Sequence, residues 1–114
     1  MRPGQLTPTE FESAILKRLV HQFPMLKFCV ANLHVLSREF TGVGSFTHFQ
    51  PSSSSTSLPD GSYTLDVLIN MPDVSNGMGA ALFIKDGYAD FLETFSFGSE
   101  HWDGMCQGFS IQNA

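Results

Sequence analysis

Long apolar runs are missing from this chain, and so are the spacings that announce metal, nucleotide or nucleophile chemistry. No stretch approaches the ~20 apolar residues of a membrane-spanning helix, and Met1-Arg2-Pro3-Gly4 leads straight into polar residues without a leader-like apolar segment. The expectation is a cytoplasmic protein, neither secreted nor inserted in a membrane. Cysteine is scarce: Cys29 and Cys106 are the only two, and in a core-forming chain without a signal peptide they are expected to stay reduced. His21, His34, His48 and His101 stand at no recognised ligand spacing to one another, to a cysteine or to an acid, so no metal is expected. Gly77-Met78-Gly79 lacks the third glycine of a dinucleotide fingerprint, and no serine occupies a Gly-x-Ser-x-Gly elbow. Cys106 has no basic neighbour to lower its pKa. No cofactor is expected, and no catalytic motif is present.

Basic residues are scarce too, and they are unevenly placed. Residues 1–39 hold Arg2, Lys17, Arg18, Lys27 and Arg38 against Glu10, Glu12 and Glu39, whereas residues 40–114 hold eight acids against Lys85 alone, a local balance of −7. A negative field over the second part repels nucleic acid and anionic lipid and would steer a basic partner, although ordinary solvation of a surface also uses such residues. The aromatics lie among acids, where RNA-binding sheets interleave them with bases. The eleven phenylalanines are accordingly read as core.

What the 114 residues do contain suits one domain with one hydrophobic core, spanning 1–114. Thr7-Pro8-Thr9-Glu10 has the form of a capping box with Thr7 as N-cap. Phe11, Ala14, Ile15, Leu16, Leu19, Val20 and Phe23 then recur at three- and four-residue spacing, which predicts an amphipathic helix over about 8–22, ended by Pro24. From Leu26 the period becomes two, predicting a strand with a bulge near Asn32. Thr41-Gly42-Val43-Gly44 predicts a hairpin turn leading to a strand through Phe46 and Phe49. Residues 50–61, with Ser52 to Ser55 and two prolines, read as a mobile loop. A half-buried strand is expected over Tyr63–Asn70, turns over Met71–Gly79, a strand over Ala80–Ile84, a hairpin at Asp86-Gly87, a strand from Tyr88, and a short one near Phe109–Ile111. The resulting class is α+β: one N-terminal helix packed on a mainly antiparallel sheet of about five strands.

Strict alternation after the Asp86-Gly87 turn puts Ala89, Phe91, Glu93, Phe95 and Phe97 on one face, leaving a carboxylate in an apolar stripe. An unpaired buried carboxylate costs several kcal/mol, so Glu93 needs a partner, a proton or solvent. Arg38, with its bidentate fork, and His48, two residues after Phe46, are the candidates. Glu100, Trp102 and Asp103 crowd polar and aromatic groups on the last loop. The binding residues expected from the sequence are therefore Arg38, His48, Glu93, Glu100, Trp102 and Asp103.

The segments Arg38-Glu39-Phe40-Thr41-Gly42-Val43-Gly44, Gly79 to Gly87 and Leu92 to Gly98, with Trp102, resemble a loose set of small uncharacterised bacterial proteins, some of a type associated with immunity to secreted toxins. The likeness covers about residues 33–112 and rests on turn glycines and core aromatics. It implies a bacterial cytosolic domain and transfers no catalytic residue. Three readings follow for function: a binding protein whose acidic face captures a basic protein partner, as an immunity-like inhibitor would; a small enzyme using Glu93 with His48 or Arg38; or a homodimeric structural subunit.

Overall fold

A computed structural model describes residues 6–51 and 56–111; the serine run expected to be a mobile loop lies outside the described residues. Helix α1 (Glu10–Gln22) starts later than the first threonine suggests, because Thr9 is its N-cap. The Thr9 hydroxyl accepts from the Glu12 N–H at 3.1 Å and the Glu12 carboxylate accepts from the Thr9 N–H at 2.8 Å. This reciprocal box displaces the one expected from Thr7 and Glu10, since Glu12 is the carboxylate that the sheet also holds. Phe11, Ile15, Leu16 and Leu19 form its buried stripe.

Pro24 does end the helix, yet no strand follows it. A 3-10 turn spans Pro24–Leu26, and the N–H groups of Cys29 and Val30 donate to the Leu26 carbonyl at 3.1 Å each. Leu26 and Cys29, three apart, are buried, while Phe28 between them is 80% exposed. Alternating apolar residues here sit on a helical-type turn, whose period of three buries the first and fourth. Asn32, at φ 56°, turns the chain out of it.

Seven strands follow: β1 (Val35–Phe40), β2 (Gly44–Phe49), β3 (Gly61–Thr64), β4 (Ile69–Met71), β5 (Val74–Lys85), β6 (Tyr88–Ser96) and β7 (Ser110–Ile111). They form one antiparallel sheet in the order β1-β2-β6-β5-β4-β7, with β3 pairing along another part of β5. The α+β class with one helix on an antiparallel sheet is as the sequence implies, and the strand number is seven instead of about five. Two differences set the sheet apart from the expectation, one adding a strand and one lengthening β5. The expected 63–70 strand is divided into β3 and β4, and the turn-rich stretch after Met71 collapses to Pro72-Asp73, where Asp73 at φ 65° reverses the chain in two residues. Val74–Gly79 then extends β5 to 12 residues. Asp86 (φ 53°) and Gly87 (φ 80°) close the β5–β6 hairpin with the two left-handed residues that match strand twist.

One irregularity in that hairpin matters for everything beyond it. Phe83 pairs with Phe91, but Ile84 pairs with Ala89, so β6 carries one extra residue. The bulge turns Ala89 to the core and Phe91 away from it, so the expected common face of Ala89, Phe91 and Glu93 does not form. Leu92, Thr94 and Ser96 point inward instead.

The core is mostly aliphatic. Ile15, Leu19, Leu26, Ile69, Met78, Leu82 and Leu92 are fully buried, whereas no phenylalanine is and only Phe11 and Phe49, at 3% exposure each, count as buried. The expectation that the phenylalanines fill the core is thus corrected. The molecule is 20 Å along its shortest axis, the thickness of one helix layer on one sheet at about 10 Å per layer, and none of the described residues forms a second layer beyond the sheet.

Candidate functional site

The six residues singled out in the sequence are distributed over three places. Arg38, on the helix side of β1, binds Glu12: its Nε donates to one carboxylate oxygen and its Nη2 to the other, both at 2.8 Å. The Thr47 hydroxyl of β2 donates to the same carboxylate at 2.7 Å. Glu12 is 5% exposed. Burial by itself raises its pKa, but the hydrogen bonds from Arg38, Thr47 and the Thr9 N–H outweigh it and hold the carboxyl below its ordinary value. The same pairing raises the pKa of Arg38. This is a fully bonded structural pair in which helix cap and sheet share one carboxylate. Glu93 is therefore not the partner of Arg38.

Glu100, Trp102 and Asp103 serve the C-terminal segment. Glu100 accepts from Ser75 N at 2.8 Å, Ser75 Oγ at 2.9 Å and Asn76 N at 3.1 Å, and those backbone hydrogen bonds lower its pKa. Trp102 is buried between Phe11 and Phe40, with ring centroids at 6.1 and 6.0 Å, and its Nε1–H donates to the Met105 carbonyl at 3.0 Å. Asp103 accepts from Met105 N at 2.9 Å within its own turn.

His48 and Glu93 lie on the outer face of the sheet, opposite α1. Strand pairing aligns Glu39, Phe46, Glu93 and Ala81 in one row, and Ser37, His48, Phe91 and Phe83 in the next. The His48 ring hydrogen bonds to Glu39, with Nε2 and Oε1 2.7 Å apart, and not to Glu93. Phe83 and Phe91 are stacked with centroids at 4.4 Å, Phe46 meets Phe91 at 5.8 Å and His48 meets Phe91 at 5.7 Å. Below them Phe95 lies between Gly44 and Gly79, and a Cβ on Gly79 would strike its ring at 2.7 Å. The ring takes the place of the missing side chain. Phe97 meets Phe95 edge-on at 5.7 Å.

Phe46, His48, Phe83, Phe91, Glu93 and Phe95 are all half-buried, covered by one another and by no other layer among the described residues. Strands β2 and β6 contain no lysine or arginine; in the sheet as a whole only Arg38, turned to the helix, and Lys85, at the hairpin end of β5, are basic. The remaining acids are more scattered than one acidic face would require: Asp60 and Asp86 lie by the β5–β6 turn, Asp90 at the β6 bulge, Asp66 beside α1, Asp73 in the β4–β5 turn and Asp103 on the last loop. Sequence reasoning missed Glu39, Phe46, Phe83, Phe91 and Phe95 as surface. The available signal was the spacing of Phe46 and His48, which the neighbouring strand could have been aligned to only by knowing the bulge.

Among the described residues no three of His, Cys, Asp and Glu converge as metal ligands, and no helix is long and apolar enough to cross a membrane. Comparison with protein-family models, curated proteins and solved structures finds no match for this chain.

Proposed function

We infer that the protein is a binding module whose outer sheet face takes a cationic segment of a protein partner. The observation that carries this reading is the group of half-exposed phenylalanines on β2, β5 and β6, laid side by side with Glu39 and Glu93, where the one lysine or arginine of these strands is Lys85 at the hairpin end, two residues beyond Phe83. Phenyl faces accept arginine and lysine by cation–π attraction within about 6 Å, and carboxylates beside them add charge-assisted hydrogen bonds. Aromatic clusters that exclude water are the usual centre of a protein–protein interface. An immunity-like inhibitor of a basic toxin is one form such a module takes. The net charge of −5 favours encounter with a cationic partner in general, an effect screened beyond about 10 Å at 0.1 M salt, and because the other acids are scattered it is Glu39 and Glu93 that would direct such a partner to this face.

The test is capture of partners from the native cells by the tagged protein, in parallel with its Phe46→Ser, Phe91→Ser and Glu93→Gln variants, at low and high salt. A partner with a basic surface, lost with each substitution and weakened by salt, is the expected result. A partner retained by all three variants, or an acidic one, overturns the reading.

A further inference from the structure

On the opposite side of the molecule from the outer sheet face, α1 and the C-terminal strand leave a groove of about 430 Å³. Ala14, Lys17, Arg18 and His21 line it from the helix, at the i, i+3, i+4 and i+7 positions that place side chains on one face. Phe109 and Ile111 form its other wall. The walls are apolar and the rim is cationic.

Arg18 is the informative residue. Its Nε is buried and has no hydrogen-bond partner among the described residues, although the side chain retains 16% exposure. Among the described residues its one acidic partner is Asp66, 3.4 Å from Nη2, which is long for a charge-assisted bond and engages a different nitrogen. Buried donors are normally satisfied, and an orphaned one calls for an acceptor. A guanidinium edge formed by Nε and an Nη matches the two oxygens of a carboxylate.

We propose that this groove is a binding site for an amphipathic carboxylate, whose head is held by Arg18 with Lys17 and His21 alongside and whose apolar body lies against Ala14, Phe109 and Ile111. The size of the groove suits a ring or a short acyl chain, since ligand pockets begin at about 300 Å³. An anionic ligand is favoured because the groove concentrates positive charge in a molecule that is acidic overall, so its field differs in sign from its surroundings. A single fork-shaped donor with apolar walls favours a carboxylate with a hydrocarbon body over a bare inorganic anion. The site is independent of the outer sheet face and of what binds there.

The experiment is NMR titration of the uniformly 15N-labelled protein with octanoate, octanol and inorganic phosphate, following the Arg18 Nε–H resonance and the backbone amides of residues 14–21 and 109–111. Octanoate is expected to shift these signals with a Kd on the order of millimolar, while octanol and phosphate bind at least about tenfold more weakly. Arg18→Gln should reduce octanoate affinity about tenfold, and Arg18→Lys, which keeps charge but loses the fork, should not restore it. Lys17→Gln, at an exposed position, should weaken binding less and provides a second variant if the first is unstable. Equal binding of octanol or of phosphate, octanoate shifts confined to the outer sheet face, or full affinity in Arg18→Lys each overturns the proposal.

Discussion

Replacing Glu12 should be the most damaging polar substitution in the molecule. Glu12→Ala removes the acceptor for two Arg38 donors, for the Thr47 hydroxyl and for the Thr9 N–H at the helix cap. Thr47 is 1% exposed and would be left without that partner, while Arg38, with its side chain 21% exposed, can recover part of its solvation. Breaking a buried pair from one side costs about 3–5 kcal/mol, and the partial exposure of Arg38 brings the expectation to about 2–4 kcal/mol. Against a total stability of about 5–15 kcal/mol, that is a large loss. Glu12→Gln keeps the shape and part of the hydrogen bonding, and should cost about 1–2 kcal/mol. The pH dependence has a definite sign. The native pKa lies below the ordinary 4.5, so the charge contributes stability that is fully present above 4.5 and lost as pH falls through the depressed native value. Urea unfolding at several pH values reads this directly: the gap between wild type and Glu12→Gln should stay constant from neutrality to about pH 5 and narrow below the ordinary value. In Glu12→Gln/Arg38→Met the two losses should be less than additive. A Glu12→Ala cost below about 1 kcal/mol, or a gap undiminished in acid, would refute the reasoning.

Three further outcomes follow from local geometry. Thr9→Ala should cost about 1 kcal/mol by denaturant unfolding and Thr7→Ala almost nothing, since only the Thr9 hydroxyl caps α1. Gly87→Ala should destabilise by about 1–3 kcal/mol and Gly42→Ala by less: both have positive φ, but an added Cβ at Gly87 meets the Thr56 backbone and at Gly42 meets nothing. Trp102, the single tryptophan and 4% exposed, should emit at the blue end of its range and shift red in step with the loss of circular dichroism on unfolding; an earlier fluorescence change would mean that the last segment detaches first.

The helix, the hairpin turns at 41–44 and 86–87 and the last strand are legible in the sequence because each has a local cause: periodic apolar residues, paired glycines, an Asp-Gly turn. What is not legible depends on contacts distant along the chain. Thr9 and Thr7 compete for the cap, and Glu12 settles it only because Arg38 and Thr47, far along the chain, hold that carboxylate in place. Leu26, Phe28 and Val30 alternate like a strand, but Pro24 starts a turn and the period of three prevails. The β6 bulge leaves no mark on the Ala89–Phe97 alternation, yet it decides which face Phe91 and Glu93 occupy relative to Ala89. The mistaken assignment of the phenylalanines has the same origin: hydrophobic character identifies residues that gain by leaving water, and it cannot distinguish a core from a sheet face awaiting a cover.

Two copies of this chain could in principle cover each other's phenylalanines, and charge separates that arrangement from a cationic partner. A two-fold dimer is isologous, so a patch centred on β6 must meet itself. Glu93 sits on β6 between Phe46 and Ala81, near the middle of the face, and it would come close to its own copy, with Glu39 of each chain nearby. Like charges brought together in a desolvated interface cost several kcal/mol, whereas an arginine or lysine in the same place is attracted. Wild-type protein should therefore sediment as a monomer at micromolar concentration near neutral pH. Glu39→Gln/Glu93→Gln, which removes the repulsion and keeps the phenylalanines, should self-associate more readily and lose any cationic partner at the same time. If the wild type is instead a dimer that Phe91→Ser dissociates, the outer face is already occupied by a second copy, and the place for a basic partner must be sought elsewhere on the molecule.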